Sequence, residues 1–217
     1  MKSKKLLVLA FAAAVVAAVV LVVTFPAAAQ DKGWHQLRGT YFQTGTTSCM
    51  VSSTGFTGAL TPIPSPPAPS PPVVYFQTSS SQVTLKLNPD GTGTGQGSDF
   101  FVTLPPATVP SASLADESFP FTYSVTDERV LTVVVGTVTG TFTAGPFTGV
   151  PFSVTPGPTL TGRIGRNGTI TLTSAAPAVE TLTINFPPPP VSVGTVNELR
   201  ICNRTRIDIR VHGADKE

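Results

Sequence analysis

Apolar residues recur at every second position over much of this chain, and after the first thirty residues no segment carries a convincing 3.6-residue apolar period. A period of two belongs to a β-strand with one buried face, because successive side chains point to opposite sides of a sheet. The pattern is clearest from Thr137 to Phe186. Val138 and Phe142 are followed by Val150, Phe152 and Val154, then Leu160 and Ile164, Ile170 and Leu172, and finally Leu182, Ile184 and Phe186. Thr or Ser fills most positions between, as suits the solvated face of a half-buried antiparallel strand. With 22 Pro and 19 Gly in 217 residues, long helices are not expected, since Pro removes a helix donor and Gly weakens a helix interior.

Short turn signals separate the strands: Pro89-Asp90-Gly91, Gly145-Pro146, Pro156-Gly157-Pro158 and Arg166-Asn167-Gly168. Asp-Gly and Asn-Gly accept the positive φ of tight hairpins. The reading is an all-β, antiparallel meander of roughly 8 to 11 strands, closed into a barrel, with a two-sheet β-sandwich as the alternative.

The N-terminus has the form of an export signal. Lys2, Lys4 and Lys5 precede an uncharged run from Leu6 to Val23, and Pro26-Ala27-Ala28-Ala29 supplies small residues for processing. We read residues 1–29 as a signal peptide and 30–217 as a single all-β domain. The apolar run is about 18 residues, longer than most signal cores, so an uncleaved membrane anchor is the alternative. The expected location is exported, periplasmic or extracellular. Removing residues 1–29 takes away three Lys and no acid, which moves the net charge from +2 to −1. The remainder has no concentrated positive surface for nucleic acid or anionic membrane. Arg200, Arg204, Arg206 and Arg210 form the one dense basic stretch and are read as solvated charges on the outer face of a strand.

The two cysteines bear on closure. Cys49 falls in the first expected strand, Leu37 to Val51, and Cys202 in the last, Leu199 to Val211. In an oxidising compartment a lone pair is most simply one disulfide, which would set first and last strands side by side, as a closed barrel requires. Such a link should stabilise the fold by about 4 to 5 kcal/mol in the chain-entropy model. An immunoglobulin-type sandwich would place a Trp between its paired cysteines, whereas Trp34 precedes both. In the last strand Leu199, Ile201, Ile207, Ile209 and Val211 share one parity and Cys202 falls on the other, with the arginines. Either the disulfide lies on the outer face or a bulge near Asn203 shifts the register.

Thr61 to Pro72 is too proline-rich for a central strand and is read as a stiff loop, as are 105–110 and 187–190. These loops could gather at one rim and lid a cavity. The run Gly91-Thr92-Gly93-Thr94-Gly95-Gln96-Gly97 resembles a phosphate loop only superficially, because Phe100-Phe101-Val102 continues as strand where a helix would be needed. Asp90 and Asp99 flank it without the Asp ladder of a calcium loop. The only histidines, His35 and His212, lie near the two ends without a nucleophile elbow or a zinc pattern. Asp116-Glu117 and Asp127-Glu128 are adjacent pairs that would point to opposite faces of a strand, and are read as turn and loop residues. No catalytic, cofactor-binding or metal-binding residue is assigned.

Leu37-Arg38-Gly39-Thr40-Tyr41, Cys49 and the closing Arg200-Ile201-Cys202-Asn203-Arg204-Thr205-Arg206 resemble small exported bacterial proteins of uncharacterised role, a resemblance that brings no function with it. The Gly-Thr-Tyr opening is also similar to the start of lipocalin-like barrels, with Tyr41 where their Gly-x-Trp pattern has Trp. That resemblance implies a closed barrel whose apolar interior holds a small hydrophobic ligand. The expected function is a non-catalytic exported barrel, with a sandwich-type surface or adhesion module and a carboxylate-based hydrolase as alternatives. N-terminal sequencing of the exported protein should read from Gln30; a chain still starting near Met1 would show the anchor retained.

Overall fold

A computed structural model describes residues 37–64, 73–104, 111–186 and 194–211. Residues 1–29, Trp34, His35, His212 and much of the three proline-rich segments lie outside the described residues. The eleven strands are β1 (Gly39–Ser52), β2 (Val74–Leu87), β3 (Thr92–Leu104), β4 (Ser111–Val125), β5 (Val130–Val135), β6 (Val138–Ala144), β7 (Pro151–Thr155), β8 (Thr159–Ile164), β9 (Ile170–Ser174), β10 (Val179–Asn185) and β11 (Thr195–Arg210). No helix among the described residues is long and apolar enough to cross a membrane.

All strand pairs are antiparallel, and β1 pairs with β11, so the sheet closes and the two-sheet sandwich is not formed. The ring has eight positions, three of which are filled by broken strands. β4 pairs along one half with β5 and along the other with β6. The same division continues through β8 and β7, then β9 and β10, and both halves rejoin on β11. Thus β5/β6, β7/β8 and β9/β10 are three bent strands facing a wall of unbroken ones. The register slips at the first bend: Phe121 pairs with Val135, yet Ser118 pairs with Thr139 rather than Val138. Gly157 lies against the backbone there, and a Cβ on it would come within 2.1 Å of the Gly136 carbonyl oxygen. Only glycine lets the two bends stack.

The apolar residues read from the alternation fill this interior. Val138, Phe142, Val150, Phe152, Val154, Leu160, Ile164, Ile170, Leu172, Leu182 and Ile184 are all buried in one cluster, with Phe186 packed against it. The glycine run passes from a turn at Gly91 into strand β3. Its inward glycines 93 and 95 leave space for Phe121 and Phe119, whose rings would stand 2.2 and 2.3 Å from an added Cβ.

The two rims differ. Three tight turns close one of them through i to i+3 hydrogen bonds: Gly91 N to Asn88 O, Arg129 N to Thr126 O, and Gly168 N to Gly165 O. Asp127-Glu128 occupies one of these turns, as expected. Connections at the other rim are 53–73, 105–110, 145–150 and 186–194, so the three proline-rich segments attach at one end of the ring.

Cys49 and Cys202 are bonded and stand directly opposite each other in the β1–β11 register, with Cα atoms 4.1 Å apart. Both are buried on the inner face, with Val51 and Tyr75 around them. A sequence separation of 153 residues makes the link worth about 5 kcal/mol through lost chain entropy in the unfolded state. Cys49→Ser should lower the melting temperature by roughly 10 to 20 °C. Calorimetry showing equal unfolding temperatures for variant and wild type would remove the disulfide from the stability account.

Candidate functional site

The last strand turns the opposite way from expectation. Arg200, Cys202, Arg204, Arg206 and Asp208 face inward and are 8% exposed or less, while Ile207 and Ile209 on the other face are 42% and 55% exposed. Neither an outer disulfide nor a bulge at Asn203 is present: the pairing with β1 runs unbroken from Tyr41↔Arg210 to Ser52↔Leu199. The arginines are therefore a correction to the solvated reading. They point inward because partners from other strands meet them there. Asp116-Glu117 is a second correction: both lie within β4, with Asp116 outside and Glu117 facing the interior.

Each inward polar group is placed by register. Glu180 on β10 lies opposite Arg200. It accepts two hydrogen bonds from Arg204, Nη1 to Oε1 at 2.5 Å and Nη2 to Oε2 at 2.6 Å. This parallel fork is the strongest form of ion pair, and removing one partner of such a buried pair costs about 3 to 5 kcal/mol. Arg200 Nε stands 3.4 Å from Glu180 Oε2, near enough to share its charge but not aligned for a hydrogen bond, while Nη1 donates to Gln77 Oε1 at 3.3 Å. Arg206 leans across β1, where Gly45 leaves the room; a Cβ there would come within 2.5 Å of Arg206 Cδ. Its Nη1 donates to the carbonyls of Thr46 and Thr205 and its Nη2 to Thr47 Oγ1. Asp208 accepts from Gln43 Nε2 at 2.8 Å.

Asp99 on β3 and Glu117 on β4 are diagonal neighbours, since Gly97 pairs with Glu117 and Asp99 with Ala115. Asp99 accepts a long hydrogen bond from Ser79 Oγ at 3.4 Å through one oxygen, and its other oxygen, Oδ1, has no hydrogen-bond partner. Burial, then the charge of Glu117, pushes Asp99 up to about 8 against the pull of Arg206, Arg200 and Arg204. Glu117 is also raised, by burial, against the same three arginines. Burial lifts Asp208 to about 6, opposed by Gln43 and Arg206. Near neutrality Asp99 is thus a proton donor rather than a charge.

These groups line one side of an interior cavity of about 80 Å³. The unbroken strands supply Gln43, Thr47, Gln77, Ser79, Asp99 and the arginines together with Leu85, Phe101, Phe119 and Phe121, whereas the bent strands bring Val133, Val138, Phe152, Val154 and Leu172 to the other side. The space has one apolar wall and one that carries the buried charges among apolar residues, with room for several waters. The expected purely apolar interior is replaced by a half-polar one. The signal that could have found it is Cys202, because cysteine is among the most buried residue types and shares its parity with Arg200, Arg204, Arg206 and Asp208. Asp90 lies instead in an exposed turn, bonded to Thr92. Among the described residues no three His, Cys, Asp or Glu side chains are grouped to hold a metal ion.

No protein-family model matches the chain, and no curated protein matches it. Among solved structures, the enduracididine biosynthesis enzyme MppR, complexed with the condensation product of pyruvate and imidazole 4-carboxaldehyde, aligns with 78% of this chain and 87% of that one. The identity is 6% and the TM-score 0.14, a likeness that carries no argument.

Asp99 and Asp208 hold their protons to higher pH when folded than the ordinary carboxylate value of about 3.9. Their contribution is therefore fully favourable below about pH 4, and is lost as pH rises through about 6 for Asp208 and about 8 for Asp99. Asp99→Asn removes the second loss. Its melting temperature relative to wild type should rise between pH 5 and pH 9; a constant difference would contradict the buried, protonated carboxyl.

Proposed function

We propose that this chain is an exported, non-catalytic barrel that holds a small molecule in its interior, and that the molecule has a polar end and an apolar end. The observation that carries the reading is the cavity with buried charged groups on one side and a wholly apolar wall facing them. Buried charges cost several kcal/mol each even when paired, so a ring closed only for stability would favour apolar residues at Arg200, Arg204, Arg206 and Asp99. At about 80 Å³ the space is well below the ~300 Å³ of a drug-sized pocket. The ligand is thus a molecule of few heavy atoms with a polar end, rather than the small hydrophobe that the lipocalin-like opening implied.

Export rests on the signal-like residues 1–29 and agrees with a buried disulfide, which persists in oxidising compartments. We place the protein in the periplasm or outside the cell, with a tether through residues 6–23 as the alternative. A carboxylate-based hydrolase is the second reading. Asp99 and Glu117 do meet in the interior, and a neighbour held protonated is the asymmetry an acid–base pair needs. The cavity leaves little space for a substrate bond between them, so binding comes first.

The test is ligand-observed NMR on the mature chain with a set of neutral and charged molecules no larger than butyrate. Some should bind, and Val133→Phe, which fills the apolar wall, should abolish that binding while the variant stays folded. If none binds, or if every binder is unaffected by Val133→Phe, the interior is not a ligand site.

A further inference from the structure

We propose that the interior site takes a short-chain monocarboxylate, its carboxylate seated between the arginines of β11 and the carboxyl of Asp99 and its alkyl end on the bent strands. The inference rests on the interior-ligand reading and names the ligand's chemistry.

Three observations carry it. First, Arg206 has donors to spare. A guanidinium has five N–H groups, and those of Arg206 make three hydrogen bonds, all to neutral oxygens of Thr46, Thr205 and Thr47. Among the described residues it makes no ion pair within 4 Å, while Arg200 and Arg204 both turn to Glu180. Second, two polar side chains that line the cavity and are more than nine-tenths buried have atoms without hydrogen-bond partners, Asp99 Oδ1 and Arg200 Nε. A buried polar atom left unmade costs about 1 to 3 kcal/mol, which a ligand oxygen would relieve. Third, the planar fork of a guanidinium matches the two oxygens of a carboxylate, and the facing wall of Val133, Val138, Phe152 and Leu172 accepts only an apolar tail.

The buried carboxyl of Asp99 makes this binding depend on pH. β11 contributes three cations, Asp208 and, beside Arg200, Glu198; β10 contributes Glu180 and β4 contributes Glu117. β1 and β2 present neutral groups there, and β5 to β9 present apolar ones. The three arginines face Glu180, Glu117 and Asp208. An ionised Asp99 would set a further negative charge directly against a bound carboxylate. A protonated Asp99 can instead donate its O–H to the ligand oxygen.

Calorimetric titration of the mature chain with propionate at pH 7 and pH 9, with 1-propanol as the neutral isostere, tests this. Propionate should bind and 1-propanol should not. Affinity for propionate should fall about tenfold from pH 7 to pH 9, because a group titrating near 8 passes from roughly nine-tenths to one-tenth protonated. Asp99→Asn, which keeps a donor and cannot ionise, should bind propionate equally at both pH values. Arg206→Gln should weaken binding at least tenfold; if that variant does not fold, Asp99→Asn still decides. Equal binding of propionate and 1-propanol, or an undiminished pH dependence in Asp99→Asn, overturns the inference. If other small molecules bind inside and propionate does not, the carboxylate assignment falls and the interior-ligand reading stands; if nothing binds, both fall.

Discussion

The pairing of β1 with β11 decides what every other inward side chain must do. Twelve residue pairs, Tyr41↔Arg210 through Ser52↔Leu199, join the two ends of the meander, and the Cys49–Cys202 bond crosses that seam on the inner face. Closure leaves every described strand paired on both sides, so inward atoms have only each other, or what the cavity contains, for company. It also fixes parity. Once Cys202 faces inward, Arg200, Arg204, Arg206 and Asp208 must follow it, because side chains on a strand alternate. The arginines are inside by register and are kept there by Glu180, Gln77 and the oxygens of β1.

The division between the two walls follows from strand continuity. β1 to β4 and β11 run long and unbroken, while β5/β6 and β7/β8 bend where Gly136 and Gly157 bring backbone against backbone. The bent strands give the interior almost wholly apolar side chains, with Glu180 as their charged exception. The long strands place polar groups at mid-height and apolar ones toward the tight-turn rim, where Leu85 and Leu87 meet Phe121 and Tyr123. A cavity remains where the two chemistries meet, since neither hydrogen-bonding groups nor hydrocarbon can fill a space whose opposite sides demand different partners. Places where a chain departs from the rule of apolar interiors are often sites with a purpose.

Much of the fold was legible without coordinates. Each apolar residue named between Thr137 and Phe186 points into the interior, because Thr and Ser between them leave one choice of face. The turns at Asp90-Gly91 and Asn167-Gly168 stand where those dipeptides put them, and the cysteines pair as a lone couple should. The failures also had a local cause. In β11 both parities are self-consistent, aliphatic on one side and charged on the other, and the ordinary preference for burying aliphatic residues selects the wrong one. Asp116-Glu117 looked like a loop only because a charged pair inside a strand needs inward partners that no nearby residue supplies.

The sequence by itself determined the all-β class, the strand rhythm, the positions of the tight turns and the covalent link between the ends. These depend on neighbours a few residues apart, through side-chain alternation and backbone freedom at glycine, or on a pair of cysteines with no competitor. Only the tertiary structure decided which face of the last strand is the inside, and with it the site. Arg204 meets Glu180 24 residues away, Arg200 meets Gln77 123 away and Arg206 meets Thr47 159 away. Burying a guanidinium is tolerable only where such partners already stand, and closure of the ring is what brings them there.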